Sequence, residues 1–279
     1  MTARDALAQI REILRGAEIP DADFDALCLC EDLLGCRPMA VHSDKTISER
    51  MFAALLDAAK KRCEGVPLQY ILGEWEFFGL PFQVGEGVLI PRPDTETLVE
   101  IALNHLSCVP APKRVLDLCS GSGCVAIAIE KNCTAAEVSA LEISEQAQEY
   151  LRQNITLNHS SVQLIAGDAL SEAQAAEFEN LSLITANPPY LTAQDLTALQ
   201  REVGFEPKMA LDGGEDGLMF YRRLPALWKN SLCVGGMLAV EIGAGQEEDV
   251  CAFLAAAGYR EIRQIPDYTG TIRVICGIR

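Results

Sequence analysis

The hydrophobic period of this chain changes twice. Leu7, Ile10, Ile13 and Leu14 fall three or four positions apart, as on one face of a helix, and Phe24, Leu27, Cys28 and Leu34 form a second stripe. Asp21 or Asp23 is placed to cap that second helix and Gly35 to close it. Met51, Phe52, Leu55 and Leu56 make a third stripe, behind Thr46 and Glu49 at capping-box spacing. Residues 1–73 therefore read as a small helical bundle whose stripes are core. Over 74–91 the period shortens. Trp75, Phe77, Phe78, Leu80, Phe82, Val84, Val88 and Ile90, broken by Gly79, Pro81, Gly85 and Gly87, predict a β-hairpin linker. It ends in Ile90-Pro91-Arg92-Pro93-Asp94-Thr95-Glu96, where prolines stop the strand and Asp94 or Thr95 can cap the next helix.

Over 92–279 the patterns alternate. Helices are predicted at 96–106, 123–131, 144–157, 217–230 and 246–257. Strands are predicted at 114–118, 137–142, 162–166, 181–186, 236–242, 260–265 and 271–278. Such alternation implies an α/β domain, a mostly parallel sheet with helices on both faces. Only Pro266-Asp267-Tyr268-Thr269-Gly270 separates the last two strands, which suits an antiparallel pair.

Composition narrows the class. The chain has 279 residues, 49% hydrophobic and 23% charged, enough to bury a sizeable core. No apolar run approaches the ~18 to 20 residues that span a bilayer. The polar Met1-Thr2-Ala3-Arg4-Asp5 start does not read as a signal peptide, so a cytoplasmic protein without membrane partners is expected. Eleven cysteines without a Cys-x-x-Cys pair, and three scattered histidines (His42, His105, His159), favour free thiols over a metal or disulfide framework. The nearest cluster, Cys28, Cys30 and Cys36, has no common metal spacing. A formal net charge of −17 argues against nucleic acid as the main partner.

Candidate chemistry gathers at the strand ends. Val115-Leu116-Asp117-Leu118 is followed by Cys119-Ser120-Gly121-Ser122-Gly123, small residues that let backbone approach a ligand at a helix N-terminus. Asp117 can accept from a cationic amine. The loop lacks the full Gly-x-Gly-x-x-Gly pattern, so no pyrophosphate cradle is evident. The next strand ends in Glu142, nineteen positions after Gly123, where a carboxylate can accept both hydroxyls of a ribose. Alternatively, Glu142 is simply a charge favoured at a helix N-terminus. The third strand ends in Gly167-Asp168, an acid placed to accept from an adenine amino group. The fourth ends in Asn187-Pro188-Pro189-Tyr190. Both prolines lack an N–H, leaving the Asn187 side-chain oxygen and the Pro188 carbonyl as bare acceptors for an –NH2 group, with an aromatic face beside them. Taken alone the tetrapeptide reads equally well as a proline turn with a helix cap. Together the four strand ends suit a nucleoside with a charged tail lying across them.

These motifs resemble those of the class I S-adenosylmethionine-dependent methyltransferases. More closely, the chain resembles the peptide chain release factor N5-glutamine methyltransferases. That resemblance spans the helical N-terminal region, Pro67-Leu68-Gln69-Tyr70-Ile71-Leu72-Gly73, the Ile90–Glu96 segment, Asn187–Tyr190, Phe205-Glu206-Pro207 and Ala210-Leu211. It implies a Rossmann-like, seven-stranded sheet and transfer of a methyl group to the glutamine of a Gly-Gly-Gln loop in release factors. The implied methyl donor is S-adenosyl-L-methionine. The implied partner is a release factor bound by a monomer, with no direct nucleic-acid contact. The family's cofactor loop falls on Cys119, Ser120, Gly121, Ser122 and Gly123, its ribose acid on Glu142 and its adenine contacts on Asp168 and Ala169. Its glutamine clamp, with catalytic and substrate-binding roles, falls on Asn187, Pro188, Pro189 and Tyr190; Asp117 and Asn187 also border the cofactor. Three positions depart from the family pattern: Cys119 for a common glycine, Glu142 for a common aspartate, and Ala169 for a bulkier residue. An adenine-N6 methyltransferase, a ribosomal-protein glutamine methyltransferase and a silent cofactor-binding module share parts of this pattern. The acidic charge and the Ile90–Glu96 segment weigh against the first, that segment against the second, and the intact Asn187 against the third.

Overall fold

Alternating apolar runs and helical stripes build a seven-stranded sheet whose central strands are covered on both faces. In a computed structural model, which describes residues 1–35 and 43–279, the strands are β3 (Lys113–Leu118), β4 (Ala136–Glu142), β5 (Gln163–Ala166), β6 (Leu181–Ala186), β7 (Leu232–Glu241), β8 (Arg260–Pro266) and β9 (Ile272–Ile278). Their order is β5-β4-β3-β6-β7-β9-β8. β3 to β7 are parallel, while β9 runs antiparallel to both β7 and β8. The antiparallel β8–β9 pair agrees with the short predicted connection; the insertion of β9 between β7 and β8 was not legible in the sequence. Cys36 and His42 lie outside the described residues.

Side-chain alternation splits the core into two layers. Val115, Leu183, Met237 and Val274 pack on one face with Leu98, Ala102, Val125 and Ile129. Leu116, Ile184, Leu238 and Ile275 pack on the other with Tyr221, Leu224, Trp228 and Leu254. The covering helices include Glu96–Cys108, Cys124–Asn132, Glu145–Leu157, Met219–Trp228 and Glu247–Ala256, each within a few residues of its predicted span.

The chain divides into two units, Met1–Glu74 with Gln200–Phe205, and Trp75–Leu199 with Glu206–Arg279. In the first, the helices Ala3–Gly16, Ala22–Leu34 and Glu49–Cys63 match the three stripes, with differences of detail. Ile13, Phe24 and Leu56 are exposed, and the second helix turns Ala22, Asp25, Ala26, Leu29 and Cys30 inward. Asp21 occupies the cap position without a capping bond, and Gly35 closes the helix at φ 57° as predicted. Ser48, rather than Thr46, caps the third helix by accepting from Met51 N–H at 3.2 Å. The complete capping box is Thr2 with Asp5, at the start of the first helix.

The hairpin is shorter than 74–91, confined to β1 (Glu74–Phe77) and β2 (Leu80–Gln83). Beyond it, Val84 and Val88 pack on Ala147. Gly85 comes so close to the helix Glu145–Leu157 that a Cβ would stand 2.3 Å from the Tyr150 hydroxyl.

Candidate active site

The carboxyl ends of β3, β4, β5 and β6 converge on one cavity of about 340 Å³. It lies on the edge where the strand order reverses around β3, the place where open parallel sheets bind ligands. Ten predicted residues border it: Asp117, Cys119, Ser120, Gly121, Ser122, Glu142, Asp168, Ala169, Asn187 and Pro189. Gly123, Pro188 and Tyr190 are not on its wall.

The loop after β3 is shaped by left-handed backbone at Cys119 (φ 55°), Gly121 (φ 56°) and Gly123 (φ 81°). Glycine adopts this region freely; at Cys119 the side chain opposes it, so the backbone there stores strain. Gly123 is fixed by packing, because a Cβ would meet Leu151 Cδ1 at 2.1 Å. Its task is close approach of loop and helix. Asn154, fully buried on the same helix, donates to Ser122 O at 2.9 Å and also bonds both backbone groups of Gln83. Sequence reasoning missed this residue; a polar side chain on the inward face of an amphipathic helix is its only signal.

Glu142 ends β4 and is buried. Its Oε2 accepts from Gly121 N–H at 2.7 Å and its Oε1 from Ser144 N–H at 2.8 Å. It ties the helix start to the loop and keeps further acceptor sites on each oxygen. Burial pushes its carboxyl upward against the backbone bonds that hold the charge. Asp117, on the cavity wall, is already engaged. Its oxygens already accept from the Ser120 and Thr185 hydroxyls, and burial pushes its carboxyl up to about 7. It shapes the site from within more than it offers a free carboxylate. Asp168 spends Oδ1 on Leu170 N–H at 2.8 Å, and Ala169 lends its carbonyl to Trp228 Nε1 at 2.8 Å. The Cys119 thiol is pushed well up by burial and by the Glu142, Asp117 and Asp168 charges, so it is no nucleophile.

Asn187 follows the fully buried β6. Its Nδ2 donates to Thr95 Oγ1 at 3.3 Å. Thr95 stands at the cap position of the helix Glu96–Cys108 but makes no capping bond, so its hydroxyl serves Asn187 instead. Behind both lies Glu241, closing β7, 2% exposed and pushed up to about 7 by burial, with hydrogen bonds to the Thr95 and Asn187 side chains opposing the shift. Neither role was foreseen. The signal for Glu241 was the one used for Glu142: an acid ending a buried strand on the same sheet edge.

The Tyr190 backbone is clamped from behind. Gln246 Nε2 donates to Tyr190 O at 3.1 Å, and a Cβ on Gly217 would stand 2.4 Å from that oxygen. Leu191 N–H donates to Leu211 O and Gly213 N–H to Leu191 O, each at 2.9 Å. Burial, with the Glu241 charge, pushes the Tyr190 phenol up to about 12. The Ile90–Glu96 segment is anchored similarly: the buried Glu206 carboxylate accepts from Ile90 N–H at 3.0 Å and from the Arg92 guanidinium. Among the described residues no histidine, cysteine and carboxylate cluster could hold a metal ion, and no helix is long and apolar enough to cross a membrane.

A seven-stranded sheet with an antiparallel last pair, a small-residue loop after its central strand and Asn-Pro-Pro-Tyr after β6 define a class I methyltransferase. Residues 5–73 match the PrmC N-terminal domain family and residues 94–215 the methyltransferase small domain family. The chain is 35% identical to a release factor glutamine methyltransferase of Thermodesulfovibrio yellowstonii, covering 97% of this chain and 96% of that protein. It is 37% identical to the one from Geobacter sulfurreducens, over 99% and 96% respectively. A methyltransferase structure from Pyrococcus furiosus shares the fold at a TM-score of 0.53 and 18% identity, covering 83% of this chain and 98% of that one. The chain belongs to the release factor glutamine methyltransferase family.

Proposed function

We propose that this protein transfers a methyl group from S-adenosyl-L-methionine to the side-chain amide nitrogen of the glutamine in the Gly-Gly-Gln motif of a release factor. One observation carries the reading: Asn187, its amide nitrogen tied to Thr95, borders the same cavity as Gly121 and Glu142. An acceptor for an –NH2 group thus stands beside a site fit for a nucleoside.

The residues suit that methyl donor. Gly121 faces open space, with nothing within 4 Å of a Cβ, so the loop can receive a ligand against its backbone. Glu142 keeps acceptor sites for ribose hydroxyls, Asp168 keeps one for an adenine amino group, and the exposed Ile143 offers apolar surface next to them. When bound, the sulfonium supplies an electrophilic methyl group.

The protein's own task is positioning. An amide nitrogen is a poor nucleophile because its lone pair is delocalised into the carbonyl. With the Asn187 nitrogen occupied, Oδ1 is left to accept one substrate N–H, and the Pro188 carbonyl is the candidate for the other. Holding both hydrogens turns the lone pair toward the methyl group; such orientation supplies at best on the order of 7 to 11 kcal/mol. The same acceptors stabilise the positive charge that grows on nitrogen. The resulting cation is acidic enough to lose its proton without a strong base.

The test is incubation of the enzyme and isotopically labelled S-adenosyl-L-methionine with a purified release factor, and in parallel with DNA and RNA. Label on the Gly-Gly-Gln peptide is the expected result. Label on adenine, or on neither, would reject the reading.

A further inference from the structure

We propose that Glu241 and Thr95 are positioning residues: together they fix which end of the Asn187 side-chain amide faces the cavity. The inference rests on the glutamine-methylation reading for its kinetic test and on local geometry for its argument.

Asparagine's side chain has a donor end and an acceptor end of nearly equal size, so packing alone does not choose between them. Polarity does. An ionised carboxylate only accepts hydrogen bonds, and a threonine hydroxyl has a single proton. Val240 is the register partner of Ala186, so Glu241 ends β7 beside Asn187, and the Thr95 and Asn187 side chains both hydrogen-bond its carboxylate; the proton that Thr95 spends there leaves its oxygen as an acceptor. The Asn187 group that points at Thr95, 3.3 Å away, must then be the donor. Oδ1 is consequently turned toward the cavity. Thr95 and Glu241 are each 2% exposed. Glu241 Oε2 is itself buried without a hydrogen-bond partner, a costly arrangement for a purely structural residue.

Burial opposes the charge on Glu241, and the groups around it act in both directions. Arg273 from β9 favours the Glu241 charge, while Asp94 from the turn before Thr95 opposes it. The phenols of Tyr190 and Tyr221 and the thiol of Cys124 also lie in the field of Glu241, and burial holds all three in their neutral forms. Tyr221 fixes the end of β7 by donating from its hydroxyl to Glu241 O at 2.7 Å. Once Glu241 takes a proton, the carboxyl can donate, the hydroxyl can reverse, and the amide orientation is no longer dictated.

Thr95→Val and Glu241→Gln separate this role from a structural one. Each should lower kcat by roughly 10- to 100-fold, the scale of a misplaced reacting group, with methyl-donor Kd and release-factor KM within about twofold of wild type. Thr95→Ser, which keeps the hydroxyl, should restore kcat. Wild-type kcat in a folded Thr95→Val or Glu241→Gln enzyme would overturn the inference, as would a loss confined to Kd or KM. A wild-type enzyme that transfers no label to glutamine would reject the functional reading instead. A second measurement needs no variant: with Asn187 assigned by NMR, one side-chain amide proton of the wild type should exchange slowly with solvent, and fast averaging of both protons would overturn the inference even if neither variant folds.

Discussion

At the residue scale, Asn187 works by what it no longer offers. Its nitrogen is committed to Thr95 and Glu241, so only an acceptor is left for the cavity. Asn187→Ala removes that acceptor without touching the loop after β3 or Glu142. It should cost about 10² to 10³ in kcat, the usual loss for one preorganised polar group, while calorimetry shows methyl-donor affinity nearly unchanged. Gly123 is the opposite case, since its role is absence. The backbone there has φ 81°, and Leu151 lies 2.1 Å from where a Cβ would stand, so Gly123→Ala meets both backbone strain and a collision. Together these should destabilise by roughly 2 to 5 kcal/mol in denaturant unfolding. A glycine at the loop's end was legible in the sequence; its packing duty was not, because Leu151 lies on a helix that nothing local connects to the loop.

At the scale of elements, strands and helices were legible where periodicity alone decides them. The β7 strand exceeds its predicted start because Gly235 and Gly236 interrupt the apolar pattern without ending the strand. The helix Ala22–Leu34 shows where periodicity misleads. Phe24 faces out and Asp25 faces in, since Asp25 Oδ2 accepts from Arg62 Nε at 2.6 Å. That partner lies 37 positions away, on the helix Glu49–Cys63, and Arg62 also bonds Glu202. Burial pushes the Asp25 carboxyl upward even against the neighbouring guanidinium, so the charge depends on its partner. Arg62→Met should therefore destabilise by about 3 to 5 kcal/mol, because it strands a buried acid. Asp25→Asn combined with Arg62→Met should recover much of that loss, and equal stability of the single and double variants would contradict the account.

At the scale of the whole molecule, buried carboxylates make stability depend on pH in an unusual direction. The formal charge of −17 counts every acid as ionised, yet burial pushes Asp117 and Glu241 each to about 7. A carboxyl raised on folding holds its proton in the native state over a range where the unfolded chain has lost it. Its favourable contribution is complete below the unfolded value near 4 and is lost as pH rises toward 7. For Asp117 the shift from 3.8 to about 7 corresponds to roughly 4 kcal/mol at most. Repulsion within so acidic a chain gives a slope of the same sign, so the wild-type curve alone does not separate the two causes. Asp117→Asn does. The amide keeps an acceptor for the Ser120 or Thr185 hydroxyl and never ionises, while the rest of the charge distribution is untouched. Urea unfolding of the ligand-free proteins at pH 4 to 8 should show the variant gaining on wild type between pH 4 and 7, by up to about 4 kcal/mol, and running parallel above that. Parallel curves throughout would mean that Asp117 is ionised in the folded protein, with its charge held by the two hydroxyls that face it.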